Sequence, residues 1–581
     1  MILQALNSYY ERLEQDPTIG IAPYGFSRQR VSFRVILENN GELHSVEPLG
    51  VQDGPRRVPE LIIVPGDGSR SGSTPKPFFL WDNALYLFGI PPIGRTKKWA
   101  AERFEAFRDQ HLQYESSIND PAFSAVCKFL ESWTPGDQRV DPAVLGSYYG
   151  VFKLRNSTQN LHERSPIAKW WSHHATANEH EDVIVEQCLV TGEVAPIARL
   201  HTPKIKGMVD KPGAPSEKLL VAVDKNFTAA ESFGKTQNLN SPVSVKAAFQ
   251  YCTALNYLLA PDSKQRVQVG DMTTLFWTER PTKAETLLPW VFEASKSAED
   301  DGLKNELHSV LNCVADGSSP GEFGDRDTPF YLLGLSPNAA RISVRLWLVS
   351  TLGAIIDNVL QHFADLRMDR SERDFEFPDI WHVVRETVRD PKDIPPLLGG
   401  AVLRSVLTGA PYPSMLFSAL LRRIRADREV RYLRAAVIKA YLNRNIRFGI
   451  NPLQKEISMS LDPDRPEPSY HMGRFFAELE NTQKDALPDI NATIKDRYFG
   501  AASATPSSVF PRLIRLSQHH LGKLDVGKRI YHEKRIQDIL GKVDDFPAHL
   551  NLQHQGLFAV GYYHQRQDIF TKKSSNSNDK E

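Results

Sequence analysis

Lys218–Leu259 reads KLLVAVDKNFTAAESFGKTQNLNSPVSVKAAFQYCTALNYLL. Three successive patterns in it decide the fold class. Lys218–Val223 is a short apolar run with strand character, and Pro242–Leu259 carries helical periodicity with a proline placed for the first turn. Between them a polar loop gathers Lys225, Asn226, Lys235, Gln237, Asn238 and Asn240. Strand, loop and helix in immediate succession predict an α+β region. Side-chain amides carry a donor and an acceptor side by side, which suits them to base edges or backbone groups. A loop dense in amides and lysines between rigid elements is the usual place for recognition.

The same loop invites an enzymatic reading. Gly234-Lys235-Thr236 after a strand matches the end of a phosphate-binding loop, but that pattern needs a glycine five residues earlier, where Ala229 stands. The helix should also begin at the lysine so that its N-terminus faces the phosphates, whereas Pro242 marks the expected start here. Nucleotide hydrolysis at this turn stays as an alternative, as does a scaffold that binds only proteins.

Outward from this loop, Val31–Leu37, Leu61–Val64, Val151–Leu154 and Leu219–Val223 read as strands, and Ala100–Tyr114 and Ala122–Trp133 as helices. Phe78–Phe88 fits a strand pair or a turn and strand. Residues 1–293 are therefore expected to form a mixed α+β region. Residues 294–326 are rich in Glu, Asp, Ser and Gly and read as an acidic, flexible insertion. Residues 327–458 read as helical, with one long helix expected over Ala339–Ala364. Residues 459–581 read as a helical bundle, with apolar periodic runs at Met472–Leu479, Ile494–Ala501, Val509–Leu524, Ile530–Ile539 and Leu557–Ile569. The fold class is thus α+β, a mixed N-terminal region followed by an all-helical C-terminal one.

The chain has 581 residues, 41% hydrophobic and 24% charged, which fits a globular protein of roughly two to four domains. No apolar run approaches the roughly 20 residues of a membrane span, and the N-terminus lacks the basic start and cleavage site of a signal peptide. Cys127, Cys188, Cys252 and Cys313 are far apart, as in reduced cytoplasmic proteins, and give no zinc cluster. The doublets His173-His174 and His519-His520 have no ligand partner at a metal-binding offset. No nucleophile or acid–base motif stands out, so a non-enzyme without cofactor or metal is expected. With 70 basic and 70 acidic side chains the chain lacks the basic balance of a free-standing DNA binder. Local basic patches within a larger assembly fit better. Arg422–Arg447 is the most basic segment, but arginines at every third position rotate about 60° per step around a helix. Arg422, Arg425 and Arg428 fit either phosphate contact or a solvated, salt-bridged helix, and Arg512 and Arg515 lie in a second basic run. A glycine-rich loop, Gly66–Pro77, adds Arg70, Ser71, Gly72, Ser73 and Lys76, with donors on a backbone free to approach a ligand closely. A plain hairpin loop is the other reading of it.

Longer blocks carry a resemblance. MILQALNSYYERL, IAPYGFSRQRVSFRVILENNG, PFFLWDNALYLFG, CLVTGE, ARLHTPKIKG, LGLSPNAARISVRLW, NATIKDRYFGAASATP and GLFAVGYYHQRQDIFTKK occur in this order along nearly the whole chain. Together they resemble the large subunit of the type I-C CRISPR interference complex, Cascade. Some relatives carry a second cysteine three residues before the one matching Cys188; here Val185 stands there. The resemblance implies a cytoplasmic, non-enzymatic scaffold that reads the protospacer-adjacent motif in duplex DNA, starts unwinding and holds the R-loop. Its implied partners are a CRISPR RNA-containing complex with backbone and RNA-end-binding subunits, a small subunit, target double-stranded DNA and a helicase-nuclease, with no membrane. Motif recognition falls to Ser71, Gly72, Ser73, Lys76, Asn226, Lys235, Gln237, Asn238 and Asn240. Strand and phosphate contact fall to Arg70, Lys225, Arg422, Arg425, Arg428, Arg512 and Arg515. The resemblance further implies that Met459 starts a second product equivalent to the small subunit.

Overall fold

The computed structural model describes residues 1–53, 56–66, 74–137, 139–141, 145, 148–177, 184–208, 217–222, 234–235, 237–283, 285, 325–450, 453 and 455–578, with the side chains of 53, 56, 175–177, 237–238 and 571–578 excepted. Arg70, Ser71, Gly72, Ser73, Lys225 and Asn226 lie outside the described residues, as does nearly all of the acidic stretch 294–326. The chain divides into two compact units, Met1–Pro261 with Asn338–Ile342, and Asp262–Pro337 with Ser343–Glu581.

In the first unit, α1 (Ile2–Glu14) buries Leu6, Tyr9, Tyr10 and Leu13, the one-face spacing of an amphipathic helix. The long strand β1 (Phe26–Leu37) organises the sheet. Its second half pairs antiparallel with β2 (Leu43–Pro48). A separate ribbon, β3 (Val51–Asp53) with β4 (Arg56–Val58), precedes β5 (Glu60–Pro65), which pairs antiparallel with the first half of β1 from Phe26↔Pro65 to Val31↔Glu60. The short strand β6 (Trp81–Asn83) leads directly into α2 (Ala84–Phe88), so Phe78–Phe88 is neither the strand pair nor the turn and strand expected, because the Asn83 side chain accepts from Tyr86 N–H and starts a helix there. The helices α3 (Lys97–Ile118) and α4 (Pro121–Ser132) follow, capped by Thr96 and Asp120. They set Phe104, Phe107, Phe123 and Phe129 against Phe33, Val35 and Phe152 of the sheet. Phe152 lies on β7 (Tyr149–Leu154), parallel to β1 and antiparallel to β6. The unit is completed by α5 (Ser165–Ala177), the hairpin β8 (Val185–Gln187) with β9 (Val194–Pro196), and α6 (Val245–Leu258).

Two expectations near the polar loop need correction. Lys218 and Leu219 make only isolated bridges, to Ile205 and Arg341, so the described part of 219–223 is not a ladder strand. The helix begins at Val245, not Pro242, because the Ser244 hydroxyl accepts from Ala247 N–H at 3.2 Å and caps it there.

The second unit opens with an antiparallel sheet in the order β10 (Arg266–Val269), β11 (Met272–Thr278), β12 (Pro329–Asn338), β13 (Arg341–Thr351). The single helix expected over Ala339–Ala364 is therefore wrong in its first half. Ile342, Leu346 and Val349 satisfy a helical spacing, but the stretch also alternates, and pairing beside β12 selects the strand. Only α7 (Leu352–Leu366) is helical, starting where Thr351 caps Ala354. Next come α8 (Ile380–Arg385), α9 (Pro396–Thr408), α10 (Ser414–Asp427) and α11 (Tyr432–Arg447). The last five helices, α12 (Pro468–Ala486), α13 (Ile494–Ala504), α14 (Pro506–Leu521), α15 (Val526–Leu540) and α16 (Leu552–Asn578), overlie the five apolar runs read from sequence. Backbones of α12 and α16 touch. A Cβ at Gly473 would stand 2.0 Å from the Phe558 carbonyl oxygen, and one at Gly561 would stand 2.1 Å from that of Tyr470. The core of the unit is continuous from the sheet through α7–α11 into this bundle. The described residues thus have the α+β class read from sequence.

Candidate nucleic-acid interface

Both ends of the glycine-rich loop rise from an aromatic clamp. At its start Gly66 holds φ +87°, a conformation glycine adopts without strain. Its N–H donates to the Gly25 carbonyl at 2.8 Å, and the Trp171 indole N–H donates to the same oxygen at 2.7 Å. One residue earlier, the Pro65 carbonyl accepts from the Trp81 indole at 2.7 Å. At its end the Lys76 N–H reaches the Tyr86 hydroxyl at 3.3 Å, and Phe78 N–H reaches Asp82 Oδ2 at 3.0 Å. Phe78 stacks on Trp81 at 4.3 Å, and Phe79 stacks on Trp171 at 4.9 Å. The two described ends of this loop are thus held by rigid elements. Lys76 is exposed.

Behind the clamp sits a strained turn. Leu80 is fully buried with φ +60°, and its N–H donates to His111 Nε2 at 2.9 Å. The Nδ1–H of His111 then donates to the Phe107 carbonyl at 2.7 Å. With both nitrogens committed and the ring buried, desolvation holds His111 down at about 4.

The amide-rich turn is anchored differently. Gln237–Asn240 forms a 3-10 turn. Upstream, Lys235 Nζ pairs with Glu186 of β8 at 2.9 Å. Downstream, the Pro242 carbonyl accepts from Leu189 N–H and the Val243 carbonyl from Ala198 N–H, each at 2.9 Å. Cys188 lies at the seam and accepts from Ser244 N–H at 3.2 Å. Burial pushes its thiol up, but hydrogen bonds from Ser244 and Thr191 outweigh that and leave it at about 7. Lys235 thus points to a carboxylate on the neighbouring hairpin, and the first turn of α6 is occupied by Ser244 and Cys188. Asn240 is half-buried beside it.

Of the predicted site residues in the first unit, Lys76 is described at the clamped end of the glycine-rich loop, and Lys235 and Gln237–Asn240 at the anchored amide-rich turn. The arginines lie in the second. Arg422, Arg425 and Arg428 are exposed on α10 or its end, Arg425 donating to Gln555 Oε1 and Arg428 standing at φ +57°. Arg512 and Arg515 are exposed on α14, Arg512 over the Tyr498 ring at 5.4 Å. Other arginines of the basic segment turn inward: Arg434 pairs with Glu386 and Asp427 at 2.7 Å, and Arg444 with Asp365 at 3.2 Å. Sequence reasoning missed Trp81, Trp171, Glu186 and the Gly25 carbonyl. The signal available was the density of aromatics in PFFLW and KWWSHH.

Among the described residues no group of three or more His, Cys, Asp or Glu side chains could hold a metal ion. No described helix is long and apolar enough to cross a membrane. A search of the curated proteins returns no match. A scan against protein-family models matches residues 6–570 to the family described as CRISPR-associated protein (Cas_Csd1), the large subunit of the type I-C complex. By that match over nearly its whole length, the chain belongs to the CRISPR-associated Cas_Csd1 family and is a Cascade subunit.

Proposed function

We propose that this subunit reads the protospacer-adjacent motif in duplex DNA, starts strand separation, stabilises the R-loop and helps recruit the helicase-nuclease, without catalysis of its own. Guide pairing supplies the rest of the specificity, as in other RNA-guided systems. The observation that carries the reading is the aromatic clamp at both roots of Gly66–Lys76, which fixes where a stretch rich in donors enters and leaves the unit. The turn Gln237–Asn240 supplies amides for base edges. Lys235 can exchange Glu186 for a phosphate cheaply, because a half-exposed ion pair contributes only about 0–1 kcal/mol. Arg422, Arg425, Arg428, Arg512 and Arg515 serve separated strands through phosphate contact, and residues 459–581 act as a small-subunit-like bundle that Met459 also starts as a separate product.

The test is binding of the assembled complex to a library of motif variants, with Gln237→Ala, Asn238→Ala and Asn240→Ala. Loss of a base-reading amide should cost about 1–3 kcal/mol and relax preference at one position. Lys235→Ala should weaken binding evenly across the library. Unchanged affinity and preference in all three amide variants would overturn the assignment of this turn.

A further inference from the structure

The clamp that roots the glycine-rich loop continues along α5 into an aromatic cluster that packs on the core through Phe79, 5.4 Å from Trp170 and 6.2 Å from Tyr114. Trp171 is committed to the Gly25 carbonyl and to Phe79. Its neighbour Trp170 instead stacks on His174, with ring centroids 4.4 Å apart and planes 15° from parallel. Tyr114 of α3 closes the cluster at 5.0 Å from Trp170 and 4.8 Å from His174. All three residues are half-buried, at the surface of the unit and not within its core. Burial holds His174 below the ordinary histidine range, which leaves its ring neutral at pH 7. Lys169 and His173 flank the cluster, exposed on the same helix, and Ser165–Ala177 contains no carboxylate.

We propose that Trp170, His174 and Tyr114 form a stacking platform for one nucleobase released from the duplex beside the recognised motif. This rests on the proposed reading of Gly66–Lys76 as a motif-contacting loop. A duplex seated there has its next bases close to Trp171, whose ring carbon Cζ2 lies 3.8 Å from where a Cβ on Gly66 would stand. An unpaired base has a π-face whatever its identity, so aromatic stacking stabilises it without regard to sequence. Lys169 supplies attraction for the adjoining phosphodiester, and the absence of acid on α5 removes repulsion. The platform favours the opened state over the paired one, and so acts on strand opening and not on motif reading.

The experiment uses the assembled complex with Trp170→Ala, His174→Ala and Trp170→Phe. Association with a motif-bearing duplex and the permanganate reactivity of thymines next to the motif are followed over time. Association should match wild type in all three variants. Opening should slow about tenfold in the two alanine variants, within the range of base–aromatic stacking, and recover in Trp170→Phe. Wild-type opening in both alanine variants would overturn the platform. Failure of these variants to assemble with the other subunits, with an unchanged melting temperature of the free chain, would make the cluster a protein contact and also overturn it. A wild-type complex without motif preference would remove the functional reading itself, and the platform with it.

Discussion

Substituting Asp365 by alanine should unfold the second unit far more readily, although no DNA contact is touched. Asp365 is 2% exposed on α7. Its Oδ2 accepts from Arg444 Nε at 3.3 Å and Nη2 at 3.2 Å, and both oxygens accept from Arg447 Nη2 at 2.6 Å. Arg444 is 1% exposed and also meets the Ser405 and Ala410 carbonyls, at 2.8 and 3.1 Å, and the face of Tyr412 at 4.1 Å. Removing the carboxylate leaves a buried guanidinium with no counter-charge, a loss of about 3–5 kcal/mol. Arg447 is different. Its side chain is 28% exposed and also pairs with Glu456 at 2.8 Å, so its share is roughly 0–1 kcal/mol. Urea unfolding followed by far-ultraviolet circular dichroism should show a large midpoint fall for Asp365→Ala, a small one for Arg447→Ala, and unchanged slopes. If Asp365→Ala stays within about 1 kcal/mol of wild type, the argument that α11 uses its arginines as internal struts fails.

Acid should weaken the first unit through its buried neutral histidines. Burial holds His111, His162 and His201 down at about 4 against the ordinary 6.5, so between these values the unfolded chain binds protons that the folded chain refuses. Stability therefore falls as pH drops from about 6.5 towards 4, by up to roughly 3 kcal/mol for His111 alone. His111→Gln, which cannot titrate, should give a shallower decline in melting temperature over that range, and an unchanged slope would count against it. If Met459 starts a second product, a C-terminally tagged native coding region should yield a short band, absent in Met459→Leu; a band that persists in that variant refutes the internal start.

Local periodicity made much of this fold legible. Val31–Leu37, Leu61–Val64 and Val151–Leu154 lie inside β1, β5 and β7, and the apolar stripes of the last five helices were read in the right order. Failures came where two periods fit one stretch, as at Ile342–Val349, or where a cap outranked a proline, as at Ser244. The candidate loops are visible in the sequence as composition. Their supports are not, because a tryptophan reaching Gly25 from residue 171 is a tertiary fact without a local signature.

The zero formal charge acquires a physical meaning from the same contacts. Arginine spacing along Arg422–Arg447 fits either phosphate contact or a salt-bridged helix, and the segment divides between the two, with buried and exposed arginines. Arg434 and Arg444 are 3% and 1% exposed and neutralise Glu386, Asp427 and Asp365 inside the unit. Arg422 and Arg428 face solvent. Internal pairing leaves the formal net charge unchanged while reducing the cations available to a polyanion. An overall balance of zero is therefore compatible with local cationic patches on the exposed helices, and the salt dependence of DNA binding should follow the exposed arginines alone. The residual basic surface at α10 and α14, not the arginine count of the segment, is what a separated strand would meet.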